Sequence, residues 1–378
     1  MVKIKMESLQ DKSKFNSAAN AARIFSACTA TLRALFLPRK NSTFIAMPPS
    51  KPAMPPSQSP RHTTRTSHFY RWIMLFTLPT CVASSFAQPQ IAVRYLGAIV
   101  GDSTSTLRLA QPLGMSIDQE ENIYIADTGN HRVLKCNALG EVMREVGGFG
   151  FGAQQFDRPV DVWVDNSLNV FVADYNNHRL QRYDKDLNFI SSYSSGEARD
   201  ESLRFGYPAA LTISPQGELF VADHEFNRVL RFAALGSPKS SFGDFNWGEG
   251  GLERPAKIML ARNGEVWVSD SLRHAIMIYD AFGNFVRAHQ LGAETSPCGL
   301  AEWEYGVIVT MRRRHVLLFL NAAGEHVGEY GRRGSSKGAF ESPAAVVVLR
   351  RARENAAHIL VLDSGNNRVQ EFEVLGLQ

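Results

Sequence analysis

The chain has 378 residues, with 41 Lys and Arg against 37 Asp and Glu and a hydrophobic fraction of 44%. The charge is split: residues 1–71 hold 12 basic and 2 acidic side chains, and the remainder holds 29 and 35. The basic excess therefore belongs to the N-terminal segment, which argues against nucleic-acid binding by the rest of the chain; with only Cys136 and Cys298 beyond residue 81, a disulfide scaffold is excluded as well.

Residues 41–71 are rich in Pro, Ser, Thr and basic groups and cannot bury a core. Residues 1–71 are expected to be a disordered basic extension, with translation starting instead at Met47 or Met54. An apolar stretch, Trp72 to Ala87, follows Arg61, Arg65 and Arg71 and ends in Ser85-Phe86-Ala87. A positive flank, an apolar centre and small residues at a cleavage point describe a secretory signal peptide. Cleavage is expected near Ala87, giving a secreted or periplasmic protein with no stable membrane span. Retention of residues 72–87 as an anchor is the alternative, although the run is shorter than the roughly 20 apolar residues a span needs.

Beyond residue 88 the chain repeats. An apolar strand ending in Asp recurs as Ile123–Asp127, Val170–Asp174, Leu219–Asp223, Val266–Asp270 and Ile359–Asp363, with a weaker copy at Val307–Thr310. A proline keeps step with it at Pro112, Pro159, Pro208, Pro255, Pro297 and Pro343, spaced by 47, 49, 47, 42 and 46 residues. Each unit contains four short apolar, β-branched runs bounded by Gly, Pro, Asn and Asp, which are strand signals. Four strands per unit at this period predict an all-β, six-bladed β-propeller over residues 88–378, built from four-stranded antiparallel blades. The sixth unit stops after its third strand. The unassigned run Ile91–Gly97 is therefore expected to supply its fourth strand and close the ring.

The turn after the second strand carries a family signature. Asp127-Thr128-Gly129-Asn130-His131-Arg132, Asp174-Tyr175-Asn176-Asn177-His178-Arg179 and Asp363-Ser364-Gly365-Asn366-Asn367-Arg368 resemble the NHL repeat, and Asp223 to Arg228 matches in part. The resemblance covers residues 91–378 and implies a six-bladed propeller. Units four and five depart from it: Ala275 and His315 stand where Arg is expected, and Thr310 where Asp is. The repeated Asp, Asn and Arg suit a structural role, since Asp and Asn bond their own backbone in turns and a following Arg can pair with the Asp. His131 and His178 fit surface turn positions.

Related propellers include metal-dependent amidating lyases, whose ligand histidines follow the blade proline, and lactonases with carboxylates around an axial calcium. The matching positions here are Leu113, Val160, Ala209, Ala256, Cys298 and Ala344. None is His, Asp, Glu or Asn, and zinc needs three or four converging ligands, so no metal, cofactor or catalytic residue is expected. The Gly147–Gly152 run leads to a strand and not to a helix, so it fits an inter-blade loop better than a phosphate loop. One cluster is not explained by repetition. Arg312, Arg313 and Arg314 occupy a second-to-third strand turn, and Arg332, Arg333 and Lys337 the loop leading into unit six; both emerge on one face, whereas Arg350, Arg351 and Arg353 are expected in a loop on the other. Guanidinium forks suit phosphate, sulfate or carboxylate. The expected function is a monomeric binding or scaffold module for a protein, a glycan or another anionic ligand, with no nucleic-acid partner. The alternative is a hydrolase or lyase with a divergent channel site.

Overall fold

The computed structural model describes residues 91–101, 107–165, 169–194, 203–233, 238–353 and 356–375. The expected basic extension and leader lie outside them. Among the described residues there are no α-helices, only short 3-10 turns, and no helix is long and apolar enough to cross a membrane.

Six four-stranded antiparallel sheets form the blades of a propeller. Within a blade, each inner strand begins at or just beyond the repeated proline, as in Pro159–Val164 and Pro255–Leu260, and pairs with the strand that ends in Asp. Blade six combines Pro343–Arg353, Ala356–Asp363 and Arg368–Leu375 with the N-terminal strand Ala92–Val100. Ala92 faces Leu375, Tyr95 faces Phe372 and Val100 faces Val369. The ring is therefore closed by the two ends of the described chain, as the truncated sixth repeat predicts. The inner strand of blade six runs to Arg353, so Arg350, Arg351 and Arg353 stand on a strand and not in the loop expected for them.

The core is distributed between blades. Six apolar clusters each combine neighbouring blades: one joins Leu360, Leu362 and Val369 of blade six to Ile123, Ile125 and Leu134 of blade one, and the other five continue around the ring. Inner strands approach so closely that a Cβ on Gly114 would lie 2.5 Å from Asp161 Cα in the next blade. No side chain larger than hydrogen fits there.

The Asp-terminated strands explain the repeated polar residues. Asp127, Asp174, Asp223, Asp270 and Asp363 are all fully buried. Asp174 accepts hydrogen bonds from Arg179 Nε at 2.7 Å, Asn177 Nδ2 at 2.9 Å, Gln181 Nε2 at 3.2 Å and the backbone N–H of Asp157 at 2.9 Å. Asp363 repeats the pattern with Arg368, Asn366, Gln370 and the N–H of Glu341. Each carboxylate thus ties a turn to the loop that leads into its own blade. Burial pushes the Asp174 carboxyl above the usual range, and its donors pull it back.

The residue before the third strand is His131, His178, Asn227, His274, His315 or Asn367, with φ between 50° and 58° in every blade. Asn and His tolerate this left-handed region better than most side chains. Five of these side chains also reach into the next blade's loop. His131 and His315 Nδ1 accept the N–H groups of Arg158 and Ser342, His178 Nδ1–H donates to Gly206 O, and His274 contacts Thr295 O. Asn367 Oδ1 accepts the N–H of Gln111 at 2.7 Å, a second bond between blade six and blade one. His131 and His178 are therefore inter-blade links and not plain surface residues.

Blade five corrects the sequence alignment by one residue. Pro297 pairs with Met311, as Pro159 pairs with Asp174, so Met311 and not Thr310 holds the Asp position. Met311 in turn faces Val316, so Val316 replaces the Arg and His315 holds the left-handed position. Thr310 corresponds to Ser269: its hydroxyl accepts the N–H of Gly299 and donates to Ala344 O in the next blade, as Ser269 Oγ donates to Cys298 O. The polar side chain that suggested a turn is an inter-blade strut.

Removing Asp174 would leave Arg179 buried without its carboxylate. Asp174→Ala is expected to cost about 3–5 kcal/mol in denaturant unfolding, while Arg314→Ala, at an exposed pair, costs under about 1 kcal/mol. A chain beginning at Leu107 lacks the closing strand. It is expected to associate through the bared Arg368–Leu375 edge, read as a larger species by light scattering than a chain beginning at Gln88.

Candidate functional site: the mouth of the central channel

The six positions that follow the blade prolines, Leu113, Val160, Ala209, Ala256, Cys298 and Ala344, all line one cavity of about 330 Å³ at the channel mouth. Their side chains are small or apolar, so the chemistry comes from the residues around them. Arg158 and Arg254 immediately precede Pro159 and Pro255, and Arg312 follows Met311; all three line the cavity. The structure gives none of the three an ion pair among the described residues, whereas Arg132, Arg179, Arg314 and Arg368 of the same face each have one.

Below the arginines, Lys257 of blade four crosses toward blade two and donates to both oxygens of Asp161, at 2.7 and 2.8 Å. Asp161 Oδ2 also accepts the N–H of Leu211 in blade three at 3.0 Å. The side chains of Asp161 and Lys257 are only 4% and 11% exposed. This pair forms the waist of the channel and cancels its own charge, so the three arginines dominate the mouth.

Tyr175 and His224 complete the wall. His224 Nε2 lies 2.8 Å from Pro255 O, which can only accept, so Nε2 carries the proton. Nδ1 then accepts from the Tyr175 hydroxyl at 3.2 Å. Burial, with Arg254 beside it, depresses the His224 pKa to about 4, so the ring is neutral at physiological pH. Burial raises the Tyr175 hydroxyl, against the pull of Arg254 and Arg158. Cys298 is free; burial pushes its thiol up, opposed by Arg312.

Of the six cations singled out from the sequence, only Arg312 reaches the mouth. Arg314 forms a two-pronged pair with Glu329 at 2.6 and 2.8 Å, and Arg333 pairs with Glu341 at 3.1 Å. Arg313, Arg332 and Lys337 are exposed on the rim. The two loops do share a face, joined by the Ser342–His315 bond. Sequence reasoning missed Arg158, Arg254, the Asp161–Lys257 pair and the Tyr175–His224 contact. The available signal was an arginine directly before the blade proline in units two and four.

Comparison with known proteins places these features. The family model "NHL repeat" matches residues 109–136 and 156–183. Protein brain tumor of Drosophila melanogaster is 28% identical over 120 residues, which is 31% of this chain and 12% of that protein; the match thus spans about an eighth of that relative. Among solved structures, an auxiliary nutrient binding protein of Bacteroides thetaiotaomicron is 13% identical with a TM-score of 0.56, over 76% of this chain and 77% of that one. A gluconolactonase of Xanthomonas campestris is 12% identical with a TM-score of 0.53, over 71% and 86%. A streptogramin B lyase is 13% identical with a TM-score of 0.50, over 76% and 88%. At these identities the structural likeness establishes the fold alone.

The neutral His224 sets a pH dependence. Its folded pKa lies below the unfolded value of about 6.5, so the stability it contributes is present above that value and is lost as pH falls toward 4. The thermal midpoint is expected to fall between pH 7 and 4.5. His224→Gln, which keeps a donor for Pro255 O, should flatten that fall; an unchanged slope would remove His224 as its source.

Proposed function

Given that this chain is an NHL-repeat six-bladed β-propeller, we propose that it is a binding module, acting outside the cytoplasm, whose channel mouth captures the anionic group of its ligand. The observation that carries this reading is the convergence of Arg158, Arg254 and Arg312 on one cavity with no carboxylate in ion-pairing distance among the described residues. Uncompensated guanidinium groups over a neutralised floor attract carboxylate, phosphate or sulfate and can grip it through paired N–H donors. The rim cations Arg313, Arg332 and Lys337 extend the positive field along one sector and favour approach more than grip. The signal-peptide layout of residues 72–87 supports export.

A second reading rests on Tyr175 and His224. A hydroxyl held by a neutral imidazole beside two arginines is a proton-handling arrangement, and it would serve a hydrolase or lyase acting on an anionic substrate. Tightly held stoichiometric zinc or calcium in the purified protein would favour that reading.

Binding is tested by calorimetry with inorganic phosphate, polyglutamate and polygalacturonate, at low and high salt. At least one probe is expected to bind the wild type, more weakly as salt rises. The triple variant Arg158→Gln, Arg254→Gln, Arg312→Gln should lose at least tenfold in affinity, while Arg313→Glu, Arg332→Glu, Lys337→Glu should mainly slow association. Equal affinity in wild type and triple variant would reject the mouth as the site.

A further inference from the structure

The channel has a second chamber at the opposite end, and its chemistry is the reverse of the first. Lys257 lines both, so the Asp161–Lys257 pair lies between them. The second chamber measures about 310 Å³ and is walled by apolar side chains, among them Ile117, Trp163, Leu260 and Val347. Its rim carries Asp118, Asp165 and Glu302. Asp165 spends its oxygens on the N–H and Nδ2 of Asn169 within its own turn, and Glu302 receives the N–H of Arg262. These bonds hold the carboxylates in place without cancelling their charge. Among the described residues, Arg262, 3.7 Å from Glu302, offers partial compensation, while Lys257 is committed to Asp161.

A further polar feature lies beside the chamber. An adjoining cleft of about 210 Å³ shares Trp163, Val164, Asp165 and Leu260 with the chamber and is also lined by Thr212. Thr212 is fully buried and its hydroxyl has no hydrogen-bond partner. A buried hydroxyl left unpaired is costly, so the cleft beside the chamber offers a hydrogen-bonding group to whatever enters it.

We propose that this chamber binds a small organic amine: an apolar or aromatic body against Trp163 and Leu260, and an ammonium group at the Asp165 side of the rim. The volume sits at the lower end of the roughly 300–1,000 Å³ typical of small-molecule sites. Apolar walls with a few fixed polar groups are the usual composition of such sites. An ammonium suits the carboxylate rim; it sits at the Asp165 side because the Trp163 ring already takes the Lys257 ammonium, 5.8 Å from its centroid. An anion is repelled here and attracted at the other mouth, so the two ends of one channel select opposite charges. This site is independent of the proposed anion-binding mouth.

The test uses the mature chain from Gln88 and titrates 2-phenylethylamine by calorimetry, with 2-phenylethanol and phenylacetate as the neutral and anionic counterparts. Saturable amine binding is expected, at least tenfold tighter than the alcohol, with phenylacetate not competing for the amine site. Leu260→Trp should fill the chamber and abolish amine binding, and Asp165→Asn should weaken it at least tenfold; circular dichroism melts verify that each variant folds. The triple mouth variant should bind the amine like the wild type. No saturable amine binding, equal affinity for amine and alcohol, or an unchanged affinity in folded Leu260→Trp would overturn the proposal. Should Leu260→Trp fail to fold, Asp165→Asn and the amine–alcohol comparison decide the matter.

Discussion

The whole molecule depends on one antiparallel pairing, that of Ala92–Val100 with Arg368–Leu375. Every blade buries its apolar faces against two neighbours, so no blade has a core of its own. An open array would leave two such faces wet. Hydrogen bonds between the first and last described strands remove both at once, and the Asn367–Gln111 bond repeats the closure on the face that carries the mouth. The central cavity exists only because the ring is shut, since its wall takes residues from all six blades.

The buried carboxylates do a different job. Asp127, Asp174, Asp223, Asp270 and Asp363 hold the turns and incoming loops of one face in a fixed geometry. In blades two and four that geometry carries Arg158 and Arg254, directly before the blade prolines, to the cavity. Blade five lacks the carboxylate, because Met311 takes its place, and there the turn contributes Arg312 directly to the cavity. The departure from the repeat and the contribution to the mouth thus fall at adjacent residues.

Much of the fold was legible in the sequence because its signals were periodic. The six prolines fix the blade count, and the missing fourth strand of the last unit points to Ile91–Gly97. Blade five was misaligned by one residue because Thr310 is polar and Met311 is not, so polarity suggested the wrong anchor; only the pairing of Pro297 with Met311 decides the register. The mouth was half legible. Its apolar ring followed from the prolines, yet Arg158 and Arg254 stand 96 residues apart and look like ordinary surface cations. Ring geometry brings them together, and no local pattern encodes that. The Arg312–Arg314 run drew notice as a charge cluster, but Arg314 is occupied by Glu329, a pairing across a hairpin that charge counting along the chain does not reveal.

The bond between Asp161 and Lys257 turns what could have been a pipe into two cups set base to base. It is a septum made of two opposite charges, drawn from blades two and four and braced by the Leu211 amide of blade three. Breaking it would leave two buried ions without partners, which is among the more expensive local events a protein interior can undergo. The floor shared by the two cavities is therefore fixed, and the residues that ring either one can change without disturbing it.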